Sequence, residues 1–205
     1  MAKFNNDVTI EKVLDAYARL SYPLFTNGDY NLNIFGIRDD EEVTDTFNDL
    51  ICLLYKVDGN WVLKKYNATT DPGAYYRKNL LNENGTAILK DGYYRSTWQV
   101  GLHRNKYTAL VQRKPVKLWR DNNKDDKLDR EGKVYEELAG INIHRASNIS
   151  TSESIGKYSA GCQVIADIKD WNEFIDIVLK SSTKYGKTFS YALFTESQFF
   201  NKGNE

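Results

Sequence analysis

Hydrophobic spacing changes character along the chain. In residues 9–22, TIEKVLDAYARLSY, Ile10, Val13, Leu14, Tyr17 and Leu20 recur at helical spacing, with Asp7 or Thr9 as cap and Pro23 as stop. The pattern then turns to strands. Residues 30–37 alternate, and residues 50–57 (LICLLYKV), Asp58-Gly59 and residues 61–66 predict a hairpin. Thr69-Thr70-Asp71-Pro72-Gly73 predicts a loop, and residues 85–89, 93–100 and 107–118 predict further strands. Residues 120–132 form a polar, charged loop, and Gly140–His144 (GINIH) a short apolar strand. A polar stretch over 145–158 leads to Ser159-Ala160-Gly161-Cys162. Residues 168–181 predict a helix with Trp171, Phe174, Ile175 and Val178 on one face, and residues 188–194 a last strand. Helices at both ends of a β-rich middle predict an α+β or mainly β fold. No repeat or low-complexity linker divides the chain, so residues 1–45 are expected to pack as an extension on a core of residues 46–205, in one compact, monomeric unit.

Composition narrows the function classes. The 28 basic and 28 acidic residues cancel, which argues against a nucleic-acid partner. Arg113, Lys114 and Lys117 form only a local basic cluster that reads as a strand edge. No apolar run approaches a membrane span, and the first seven residues lack the apolar core of a signal peptide. Fourteen tyrosines suit a groove for a polar polymer, although β propensity accounts for most of them. Two widely separated cysteines give neither a disulfide framework nor zinc spacing.

The two cysteines differ in setting. Cys52 lies inside LICLLY and reads as a small buried hydrophobe. Cys162 follows Gly161, whose missing side chain permits a tight turn and close approach of substrate. Such a turn also aims backbone N–H groups at a developing oxyanion. A thiol of ordinary pKa, about 8.5, needs a base at neutral pH. His144, at the end of an apolar strand, is the first candidate, and His103, in Gly101-Leu102-His103-Arg104, is its rival. Spacing alone does not choose between them.

Gly140-Ile141-Asn142-Ile143-His144, a loop of fourteen residues, and Ser159-Ala160-Gly161-Cys162 together resemble the signature of the L,D-transpeptidase catalytic domain. Residues 85–94 resemble that family's upstream segment without its proline. Two positions depart from the family pattern: Arg145 stands where it has Gly, and Val164 where it has Arg. The segments YNLNIFGIR, TTDPG, GLHRNKYTALVQ and SAGCQV are similar to a divergent branch associated with bacteriophage lysis. The resemblance implies an L,D-transpeptidase-like β-sandwich with flanking N- and C-terminal helices. It implies acyl transfer on bacterial peptidoglycan without a required cofactor. Cys162 is then the nucleophile, His144 the base, Gly161 and Cys162 the oxyanion donors, and Ser159 the group that orients His144. Arg145, Gln163, Tyr158 and His103 are the implied substrate contacts. The expected activity is hydrolysis of the stem peptide or its cross-link, in the manner of an endolysin made in the host cytoplasm and acting at the wall after release. The alternatives are cross-link formation and an inactive wall-binding or virion protein.

Asp121, Asn123, Asp125 and Asp129 occupy positions 1, 3, 5 and 9 of a calcium-type loop. Asp126 replaces the usual Gly and Gly132 the usual Glu, so a polar hairpin loop is the simpler reading, with a structural calcium as the alternative.

Overall fold

A computed structural model describes residues 2–41 and 45–202. Eleven strands are present among them: β1 (Asn33–Arg38), β2 (Asp49–Val57), β3 (Asn60–Thr69), β4 (Thr86–Leu89), β5 (Gly92–His103), β6 (Tyr107–Gln112), β7 (Val116–Asp121), β8 (Tyr135–Glu137), β9 (Ile143–Arg145), β10 (Gln163–Ile165) and β11 (Thr188–Thr195). The helices are α1 (Ile10–Arg19), α2 (Ala74–Lys78), α3 (Ile168–Tyr185) and α4 (Glu196–Phe200), with one 3-10 turn at Asn5–Asp7. The mainly β expectation holds. In hydrogen-bond order the main sheet is a closed barrel, β1-β11-β5-β6-β9-β10-β3-β2, and β4-β7-β8 form a separate small sheet. β1, drawn from the expected N-terminal extension, is a barrel strand between β2 and β11. Among the described residues no helix is long and apolar enough to cross a membrane.

The apolar runs are explained by burial on both faces. Ile51, Leu53 and Tyr55 of β2 point into the inner core with Ile34, Tyr191 and Leu193. Leu50, Cys52 and Leu54 point to an outer cluster with Phe35, Ile37, Ala192 and Phe194. α1 and α4 cover that outer face through Val13, Ala16, Tyr17 and Phe199. Thr9 caps α1 by accepting from the Lys12 N–H, as its sequence position suggests. α3 packs Trp171, Phe174 and Val178 against the inner core, and Asp167 caps it.

Two local differences from the sequence expectation bear on the site. The strand expected over 107–118 is two strands, because Pro115 lacks the N–H a continuous ladder needs. β6 stays in the barrel while β7 leaves for the small sheet. Behind Gly73, the polar 145–158 loop is held by Asp45, whose carboxylate accepts from the Ala74 and Gly156 N–H groups (2.7 and 3.0 Å). The Ser159 carbonyl accepts from the Gly73 N–H at 2.9 Å, so the TTDPG loop and the cysteine turn are tied together.

Candidate active site

β9 and β10 run parallel, with Ile143 opposite Gln163 and His144 opposite Val164. Side chains in register share a face, so period-2 alternation puts Asn142 and His144 on the same face as Cys162 and Val164. Ile143 and Ile165 face the inner core. Cys162 lies on the wall of a cleft of about 390 Å³, with Ala160, Asn142, His103, Arg104 and Arg120 also lining it.

The turn before Cys162 can be made only with glycine. Gly161 has φ +114°, and a Cβ there would lie 2.4 Å from the Ala87 carbonyl oxygen of β4. Ser159 is fully buried and closes the turn: its Oγ accepts from the Gly161 N–H (3.1 Å) and donates to the Cys162 carbonyl (2.8 Å). Ser159 therefore fixes the cysteine turn, whereas the sequence reading has it orienting His144. Gly161 N–H is engaged by that serine. Cys162 N–H has no hydrogen-bond partner among the described residues, which leaves it available to an oxyanion. The Cys162 Sγ receives the Asn142 N–H at 3.4 Å and lies 3.6 Å from the Gly140 carbonyl. Among the described residues it makes no hydrogen bond to either imidazole, so proton transfer requires the closer geometry of a substrate complex.

His103 and His144 stack face to face, ring centroids 4.0 Å apart. Their hydrogen bonds assign them opposite tautomers. His144 Nδ1 lies 2.7 Å from the Arg145 carbonyl, which can only accept, so Nδ1 carries the proton and Nε2 keeps its lone pair. The Tyr107 hydroxyl, 3.2 Å from that Nδ1, packs beside it. Asn142 settles His103. Its Oδ1 accepts from the Gln112 backbone N–H at 3.0 Å, which fixes the amide orientation. Its Nδ2 then faces His103 Nδ1 at 3.1 Å and must donate, so the His103 proton sits on Nε2. His144 is thus equipped to take a proton, and His103 to donate a hydrogen bond.

Electrostatics keep the whole set neutral. Burial, then the neighbouring His103, push His144 down to about 3. Burial, then Arg104 and Arg145, push His103 down to about 4. Packing around the Cys162 sulfur raises its thiol, partly offset by the Asn142 N–H and the Arg104 charge. The resting pair is thiol and imidazole, not thiolate and imidazolium.

The remaining expected contacts are scattered. Gln163 is fully buried: its amide donates to the Thr70 and Gly161 carbonyls (3.2 and 3.3 Å) and accepts from the Tyr191 hydroxyl (3.0 Å). It braces the turn from inside the barrel and does not line the cleft. Arg145 stacks its guanidinium on Tyr107 at 4.1 Å, and Tyr158 is exposed; neither lines the cleft. Val164 fills an apolar cluster with Phe47 and Ile155. Sequence reasoning passed over Asn142, Gln112 and Arg104. Asn142 had a signal, since GINIH alternates and places it on the His144 face; Gln112 had none. No family model, curated protein or solved structure matches this chain.

Proposed function

We propose that this chain is a cysteine-dependent acyl-transfer enzyme that hydrolyses the stem peptide or cross-link of bacterial peptidoglycan. The observation that carries the chemistry is the stacked pair of opposite histidine tautomers, His103 lining the cleft with Cys162 and its glycine turn and His144 buried on the same strand face without lining the cleft. The substrate class and the L,D-transpeptidase-like fold rest on the resemblance of the Gly140–His144 and Ser159–Cys162 segments.

In this reading His144 Nε2 accepts the Cys162 proton as sulfur attacks the scissile carbonyl carbon. The carbonyl oxygen takes the negative charge and is met by Cys162 N–H, with His103 Nε2–H as a second donor. The tetrahedral carbon collapses, the C–N bond breaks, and His144 returns the proton to the leaving amine. Water, deprotonated by His144, then attacks the thioester and releases the acid and the thiol. Arg104 and Arg120 on the cleft wall offer cations to a substrate carboxylate. Arg120 already pairs with Glu137 at 2.9 Å, which leaves Arg104 the freer of the two. This arrangement supplies a substrate-binding cation although Val164 provides none.

Purified protein incubated with sacculi, followed by mass spectrometry of the soluble products, tests the reading. Released amino acid or split cross-links that vanish with Cys162→Ala support hydrolysis. New cross-linked dimers identify an amine acceptor instead. Tight sacculus binding without any product identifies a wall-binding protein.

A further inference from the structure

Asp121 ends β7 with a carboxylate that is 1% exposed, and among the described residues neither of its oxygens has a donor in full hydrogen-bond geometry, the Asn123 backbone N–H making only a looser approach. A carboxylate removed from water and only partly hydrogen-bonded is stabilised by a proton or a cation. Burial, followed by the charges of Asp129 and Asp125, disfavours its ionised form, with Arg77 and the Asn123 backbone N–H offsetting part of this. The same two acids lie in the loop that Asp121 opens. Asn123 Nδ2 donates to Asp125 Oδ2 (3.1 Å) and Asp129 Oδ2 (2.9 Å), so one amide joins two carboxylates without neutralising them.

We propose that residues 121–129 bind a hard divalent cation, calcium by ligand chemistry, through side-chain oxygens of Asp121, Asn123, Asp125 and Asp129. Every donor is oxygen and neither His nor Cys takes part, which excludes a zinc-type set. Carboxylate, amide and backbone oxygens on a loop suit calcium's loose, high coordination more than magnesium's strict octahedron. Asp126 is turned away, paired with Lys78 at 2.7 Å, while its carbonyl holds Arg77 at 2.6 Å. Among the described residues no three His, Cys, Asp or Glu side chains are already gathered closely enough to hold an ion. Binding therefore turns the Asn123 amide oxygen inward and draws the carboxylates together.

The ion would brace the cleft. Asp121 pairs with Thr86 across β7 and β4, and the Asp121 carbonyl lies 2.5 Å from where a Cβ on Gly85 would stand. Arg120 donates to the Gly85 carbonyl at 2.9 Å. Gly85, Thr86 and Ala87 line the cleft, and Ala87 is the residue against which the Gly161 turn packs. Leu128 anchors the loop in a small cluster with Ile88 and Trp119. Ion binding itself does not depend on Cys162 being catalytic.

The full chain, stripped with a chelator, is titrated with terbium and then with calcium. Trp119 should sensitise saturable terbium emission that calcium competes away and magnesium competes far less well. Saturating calcium should raise Tm by about 5 °C or more. Asp125→Ala, at an exposed position, and Asp129→Ala, at a half-buried one, should abolish emission and Tm shift while circular dichroism stays unchanged. No saturable response up to about 10 mM calcium, or an undiminished response in the Asp125→Ala/Asp129→Ala variant, overturns the site. Amide exchange at Thr86 and Ala87 should slow with calcium; binding with unchanged exchange there overturns the bracing role. A failed peptidoglycan assay would leave these readouts untouched.

Discussion

Raising the pH from 5 to 9 should increase the alkylation rate of Cys162 about tenfold per unit until the thiol itself titrates. His144 is held at about 3 and His103 at about 4, so neither is an imidazolium in this range. Burial holds the Cys162 thiol above its ordinary value. Moving its proton to His144 in the resting site is therefore uphill. At pH 7 the sulfur is held as thiol. A preformed thiolate–imidazolium pair would instead be almost fully ionised and react at nearly constant rate between pH 5 and 8. Iodoacetamide labelling read by intact mass distinguishes the two cases. Cys52 is fully buried, with its thiol pushed far up, and should stay unlabelled in the native chain; Cys52→Ser removes any contribution from it. A flat profile through neutrality would refute the neutral-pair description, and with it the claim that proton transfer accompanies attack.

Other substitutions separate the roles of the polar groups. His144→Ala should lower turnover by about 10²–10⁴-fold, and His103→Ala by less, with Asn142→Ala sharing part of the His103 phenotype because the tautomer is released. Equal losses in steady-state assays of the two histidine variants would contradict the assignment. Gly161→Ala places a Cβ against the Ala87 carbonyl in backbone that favours glycine; a loss of about 2–3 kcal/mol, read as a lower urea midpoint, is expected together with loss of activity. Both imidazoles are depressed in the folded chain, so their contribution is complete above about pH 6.5 and is lost progressively as the pH falls from there, until the folded imidazoles themselves titrate at about 4 and about 3. Stability at pH 5 should be about 3 kcal/mol below that at pH 7. A His103→Leu/His144→Leu variant should lose clearly less, and an equal loss would show that other groups govern the acid response.

The long elements were legible because periodicity is a local property. LICLLYKV, Asp58-Gly59 and the strand after it form the β2–β3 hairpin, and Thr9 caps α1. Short elements were not. β8 and β10 have three residues each, too few to show a period, and exist through their pairing partners. The five-residue helices α2 and α4 were missed for the same reason. At the site, the cysteine turn was visible in Ser159-Ala160-Gly161-Cys162 because glycine's role there is local. Gln163 looked like a surface contact because nothing in sequence reveals that Thr70, Gly161 and Tyr191 satisfy it inside the barrel. The opposite tautomers of His103 and His144 needed the Arg145 carbonyl, Asn142 and Gln112, which only the folded sheet brings together.

The most direct test of the central claim is a search for the thioester. Intact mass of the protein after rapid mixing with a peptidoglycan stem peptide, followed by acid quench and peptide mapping, should show one added acyl group on the fragment that carries Cys162. The group should disappear on incubation at neutral pH and be absent from Cys162→Ala. Product release by Cys162→Ala at the wild-type rate, with no acyl group on either protein, would contradict the account.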